Sequence, residues 1–174
     1  MSNVRRRMSP WHEVRHLFER DDGSLPDIFF ENLSPEQLVA AYEWLSSQCE
    51  VPHHATVWST EQQQDVPLCE VPFPARAFCQ GRIESFRHSL EGLSVGGVAL
   101  PTLSVCLLLT ELSLDYRMGS EWNERKVIAL FELLRHLRQI APQARIVQAD
   151  EGGYKTPNIE FSRALEAYVA NPDA

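Results

Sequence analysis

The residues best spaced for chemistry come first in the chain. His12-Glu13-Val14-Arg15-His16 fits the HExxH pattern. On a helix that spacing sets two imidazoles, His12 and His16, on one face to hold zinc, with the glutamate as general base. Three features oppose a metallopeptidase. Arg15 puts a cation inside the motif, no third histidine follows as HExxHxxGxxH, and the motif begins at residue 12, before any scaffold that could hold it. The local structure is also two-valued. Ser9-Pro10 is a helix start with Trp11, Val14 and Phe18 on one face, whereas Val14–Arg20 can pair with Asp27–Leu33 across Asp22-Gly23 as a hairpin. In a strand, residues four apart are separated by about 13 Å and cannot share one metal.

Gly92-Leu93-Ser94-Val95-Gly96 fits GxSxG, but a nucleophile elbow needs a strand before the serine and a helix after it. The sequence predicts the reverse order, a helix before and a loop-to-strand segment after, so the glycines read as a helix cap and turn. His53-His54 reads as a solvated pair, and His88 and His136 as surface histidines of helices. No GxxxxGKS or GxGxxG loop cradles phosphate, and no cofactor is implied. The carboxylate pairs Asp21-Asp22 and Asp150-Glu151 read as solvating or capping groups. At Asp115–Asn123, Tyr116 and Trp122 are expected to pack together, with Arg117 paired to Glu121 or Asp115. Tyr116, Arg117 and Trp122 are also the residue types enriched at binding hot spots.

The elements that must position these residues are marked locally. Ser34-Pro35-Glu36-Gln37 is a capping box with proline at the first helical position, which opens a helix over 35–48. Cys79, Ile83, Phe86 and Leu90 predict a second helix over 75–91, ended by Gly92. A third runs over 121–140, capped by Ser120, with Val127, Phe131, Leu134 and Leu137 buried. A fourth starts at Thr156-Pro157 and turns Phe161, Leu165 and Tyr168 inward. Strands are expected at 27–33, 55–60, 103–109 and 145–148, the apolar run 103–109 being covered on both sides. Residues 111–118 alternate, with Leu112, Leu114, Tyr116 and Met118 opposite Glu111, Ser113, Asp115 and Arg117, and a turn near Thr110-Glu111 makes an antiparallel hairpin. The Pro- and Gln-rich stretch 61–74 reads as an ordered surface connection. The fold class is α+β: a single domain, mainly antiparallel sheet with three to four packed helices over residues 9–174, after a flexible basic tail of residues 1–8.

Composition limits the partners. The 174 residues carry a net charge of −8, and 44% of them are apolar. No apolar run approaches the roughly 18 residues of a membrane span, so no membrane partner is expected. The basic N-terminus is not followed by the apolar stretch of a secretory signal. Four dispersed cysteines read as reduced thiols, which fits a cytoplasmic protein. Residues 8–72 hold 12 acidic and 2 basic side chains, a net of −10, whereas residues 73–174 are nearly balanced. A nucleic-acid binder needs a basic footprint, so no nucleic acid is expected, and a basic protein partner fits instead.

In size, charge, element order and the Leu114–Glu124 corner (LDYRMGSEWNE), the chain resembles the small acidic immunity proteins of bacterial polymorphic toxin systems. That resemblance implies a non-catalytic role in the bacterial cytoplasm, occluding a basic toxin or nuclease domain. The partner-binding residues it points to are Asp21, Asp22, Asp27, Glu31, Glu36 and Glu43, with Tyr116, Arg117 and Trp122 as anchors. The alternatives are the HEVRH metallopeptidase and a housekeeping protein-interaction subunit.

Overall fold

Alternating apolar residues in five segments build one antiparallel sheet, seen in a computed structural model that describes residues 9–151 and 155–171. The expected tail, residues 1–8, lies outside the described residues. The sheet strands are β1 (Asp27–Glu31), β4 (Arg87–Leu90), β7 (Leu103–Leu108), β8 (Glu111–Tyr116) and β9 (Arg145–Ala149), in the order β4-β7-β8-β1-β9. Two small hairpins stand apart, β2 (Thr56–Ser59) with β3 (Gln64–Pro67), and β5 (Ser94–Val95) with β6 (Val98–Ala99). The helices are α1 (Trp11–Val14), α2 (Pro35–Ser47), α3 (Pro74–Cys79), α4 (Glu124–Ile140) and α5 (Ile159–Val169). Among the described residues this is an α+β domain with five α-helices, two of them short.

Register decides which side chains go inward. Ile28 sits opposite Leu114 and Phe30 opposite Leu112, while Val105 and Leu107 face the same two leucines from β7. That row shares one core with Leu38, Tyr42 and Leu45 of α2, Leu130, Phe131 and Leu134 of α4, and Phe161 and Leu165 of α5. The helices therefore cover one face of the sheet. α2 starts as its sequence predicts: Ser34 accepts from the Gln37 amide, and Gln37 returns a side-chain acceptor to the Ser34 amide. α4 and α5 start a few residues later than expected. Asn123 caps α4 through its side chain in place of Ser120, and Asn158 caps α5 in the same way, beyond the expected start at Thr156-Pro157.

Four expectations are corrected. The helix expected over 75–91 ends at Cys79, because Gly81 turns left-handed (φ 71°). Phe86, His88 and Leu90 then point inward by the two-residue period of a strand, which meets the helical stripe by coincidence. Hence a strand, not a helix, precedes Gly92. Residues 11–17 form a helical turn continued by a 3₁₀ turn, and β1 pairs with β8 and β9, not with 14–20. β7 alternates between buried and partly exposed residues, so it is covered on one side only. The stretch 61–74 is ordered, as expected, but contains β3. The 103–118 hairpin forms as expected, with Leu108 opposite Glu111 at its tip.

Candidate partner-binding surface

The face of the sheet away from the helices is built by the other half of the alternation. Across β1 and β8 it pairs Asp27 with Asp115, Phe29 with Ser113, and Glu31 with Glu111. β7 adds Ser104 and Cys106, and β4 adds Arg87 and Ser89. Like charges therefore oppose each other at both ends of the β1–β8 ladder, an arrangement that destabilises a sheet unless something compensates it. One cation serves each end. Arg87 pairs with Asp115, and Lys155 pairs with both Glu31 (3.3 Å) and Glu111 while lying 4.6 Å from the Phe29 ring centre. The Asp27 carboxylate has no hydrogen bond or ion pair within 4 Å among the described residues. Burial and the neighbouring Asp115 charge push its carboxyl above the usual range, against the opposing pull of Arg87. Burial raises the Asp115 carboxyl too, only partly offset by Arg87.

Beyond the Asp27 end lies the strand-to-helix corner. Tyr116 and Trp122 pack edge to face, as expected, with ring centres 5.6 Å apart, and Phe18 stacks on Tyr116 at 4.9 Å. The Tyr116 hydroxyl donates to Leu17 O, and the Trp122 indole donates to Arg117 O. Both rings are buried, at 1% and 4% exposure, so they lock the N-terminal segment onto the corner and present no surface to a partner. Apolar area and two backbone acceptors draw them inward. Arg117 is exposed and pairs with Asp21 at 3.0 Å, not with Glu121 or Asp115. Asp22 is held in the carboxylate form by the Ser24 hydroxyl and amide.

Glu36 and Glu43 lie elsewhere. They line an open groove of about 370 Å³ between α2 and α3, where Glu43 pairs with Arg76 at 3.0 Å. The fold thus brings Asp27 and Glu31 onto one face and Asp21, Asp22 and Arg117 to its corner, and sets Glu36 and Glu43 on a helix. Arg87, Asp115, Glu111 and Lys155 complete the face. The alternation of 27–31 and 111–116 carried part of that signal, but the pairing of the two strands was not legible.

The other motifs have structural surroundings. Glu13 pairs with Arg163 at 3.1 Å and His16 with Glu160 at 3.0 Å, so HEVRH clamps the first turn to α5. The α-helix ends at Val14 and gives way to a 3₁₀ turn, which breaks the helical i, i+4 relation between His12 and His16. Among the described residues no group of three His, Cys, Asp or Glu could hold a metal. Ser94 opens a two-residue strand turned by Gly96-Gly97, with no helix behind it. His88 is buried, contrary to expectation: its Nδ1 bonds Ser89 O (2.8 Å), leaving Nε2 to accept from the Tyr42 hydroxyl at 2.9 Å. The strand assignment explains this, since residue 88 falls on the inner face. His136 stays partly exposed on α4 and stacks on Trp44 at 3.9 Å. All four cysteines are free thiols, and no helix among the described residues is long and apolar enough to cross a membrane.

No known family matches the chain, and no curated protein matches it. Among solved structures, it is similar to a chain of the toxic C-terminal tip of CdiA from Pseudomonas aeruginosa in complex with immune protein. The identity is 16% and the TM-score 0.49, over 74% of this chain and 87% of that one. It is also similar to the Pseudomonas aeruginosa T6SS protein PA0821, at 12% identity and a TM-score of 0.40, over 85% of this chain and 51% of that one.

Proposed function

We propose that this chain is a non-catalytic binding protein of the immunity type, which occludes a basic toxin domain in the bacterial cytoplasm. One observation supports the reading above the rest. The sheet face left uncovered by helices carries two opposed carboxylate pairs, each matched by a single cation. Retaining like charges across a ladder costs stability, and a partner that brings positive charge relieves that cost. Asp21 and Asp22, at the corner beyond Asp27, extend the field that steers such a partner in. Occlusion needs no catalytic group, and the buried corner supplies the rigidity with which the face is presented.

The test is affinity capture from the source cells, followed by expression of the captured protein alone and together with this chain. The reading expects one basic protein that arrests growth alone and is silenced by co-expression. A captured protein that is harmless alone would leave a housekeeping interaction as the better account. Stoichiometric zinc in the purified protein, lost on His12→Ala, would favour the peptidase.

A further inference from the structure

Among the described residues, His88 is the one buried side chain whose ordinary titration range lies near neutrality. It sits on the inner face of β4 at 5% exposure, parallel to the Phe86 ring and edge-on to Tyr42 of α2. Both ring nitrogens are engaged. A carbonyl oxygen only accepts, so Nδ1–H donates to Ser89 O (2.8 Å), and Nε2 accepts from the Tyr42 hydroxyl (2.9 Å). One helical turn beyond Tyr42 stands Ser46. Its hydroxyl oxygen is buried, within reach of the Tyr42 hydroxyl, without closing a full hydrogen bond to it. Folded proteins rarely leave a buried hydroxyl in that state.

Among the described residues, nothing around the ring offers a charge its counter-ion. Burial pushes the next titratable group on α2, the Cys49 thiol, up to about 11, and the Tyr42 hydroxyl up to about 12, so both stay neutral. Opposite His88 on β7 is Val105, while Arg87 turns to the other face and pairs with Asp115. Glu50 and Glu91, bridged beyond the end of β4, are exposed. Burial accordingly holds the imidazole below its usual range. A cation formed here has hydrogen bonds alone to sustain it.

We infer that Ser46, Tyr42 and His88 form a hydrogen-bond relay that reverses when the core takes up a proton. In the neutral state Tyr42 donates to Nε2. A proton from solvent that lands on Nε2 makes that nitrogen a donor, and the Tyr42 oxygen accepts from it. The Tyr42 O–H keeps its own proton, rotates about the C–O bond and donates to Ser46 Oγ. Nδ1–H stays on Ser89 O in both states. The second state thus uses the one hydroxyl that the first leaves idle, and the bond it gains at Nε2 is charge-assisted and therefore the stronger of the two. No heavy atom has to leave its place, so α2 stays docked on β4 while the core carries the charge.

The test is NMR of the imidazole nitrogens in isotope-labelled protein, taken from about pH 8 to about pH 4, with the amide spectrum as the monitor of folding. The neutral His88 ring is expected to carry its proton on Nδ1, and to titrate reversibly while the amide spectrum stays native. Ser46→Ala removes a partner that only the protonated state uses. It should weaken proton binding at His88 by about threefold, read as a lower titration midpoint, and leave the alkaline Tm unchanged. Tyr42→Phe deprives the imidazolium of its acceptor and should weaken proton binding by about tenfold. Ser46→Thr keeps the hydroxyl and should titrate as the wild type does. A neutral ring protonated on Nε2, a midpoint unmoved by Ser46→Ala, or unfolding that accompanies the titration of the ring would overturn the inference.

Discussion

Two titratable groups, the buried His88 and the half-buried Asp27, set how single residues respond to pH. Burial holds His88 below its usual range, against its hydrogen bond to Ser89, so the imidazole stays neutral where the unfolded chain takes up a proton. The sign follows from linkage: stability is full above about pH 6.5 and is lost as pH falls from there through the folded value. Tyr42, whose hydroxyl burial pushes up to about 12, remains the donor throughout. Tyr42→Phe should cost about 1 kcal/mol in denaturant unfolding at pH 7, because His88 Nε2 loses its partner in the core. Asp27 behaves oppositely. Its folded carboxyl titrates above the 3.8 of the free group. The fold therefore binds more protons in that interval, and stability falls as pH rises through it. Asp27→Asn is expected to raise Tm at pH 7, with the gain vanishing near pH 3; a lower Tm at pH 7 would contradict the assignment. His88 was misread from sequence because two inward periods coincide over 79–90. Asp27 was singled out for its charge, but its surroundings depend on a strand far along the chain, where Asp115 stands opposite it.

At the scale of elements, caps were legible and ends were not. The Ser34–Gln37 box is a four-residue signal that the structure completes atom for atom. Ser34→Ala should cost about 1 kcal/mol, read as a shift in the denaturation midpoint. The 75–91 segment shows the limit: Gly81 adopts a left-handed backbone that ends α3, yet an isolated glycine within an apolar stripe is also compatible with a helix. The corner divides into packing and charge. Trp122→Ala removes a buried ring packed at a tilt against Phe18 and should cost about 3–5 kcal/mol. Arg117→Ala loses only an exposed ion pair with Asp21 and should change stability by less than about 1 kcal/mol. A comparable loss in both variants would mean that charge, not aromatic packing, holds the corner. The pairing of Tyr116 with Trp122 was readable from their types and spacing. Their burial was not, because it depends on Phe18, which arrives from a segment whose own conformation the sequence left open.

For the whole molecule, the uneven charge along the chain does not gather on one surface. Residues 8–72 hold most of the excess, but of their twelve acidic side chains Asp27 and Glu31 reach the outer sheet face, Asp21 and Asp22 the corner and Glu36 and Glu43 α2, the other six lie elsewhere, and the second half of the chain supplies Asp115, Glu111, Arg87 and Lys155 to the same face. The acidity on which the proposal of a basic partner rests was therefore legible in composition, while the surface proposed to meet it required the register of β1 against β8. The association rate with the captured basic partner, measured for the wild-type protein and for the Asp21→Asn/Asp22→Asn/Asp27→Asn variant at low and at physiological ionic strength, tests this account most directly. A field of one sign predicts a wild-type rate that falls steeply with salt, and a variant about tenfold slower at low salt with a flatter dependence. Equal rates for the two proteins, with the same salt dependence, would contradict it.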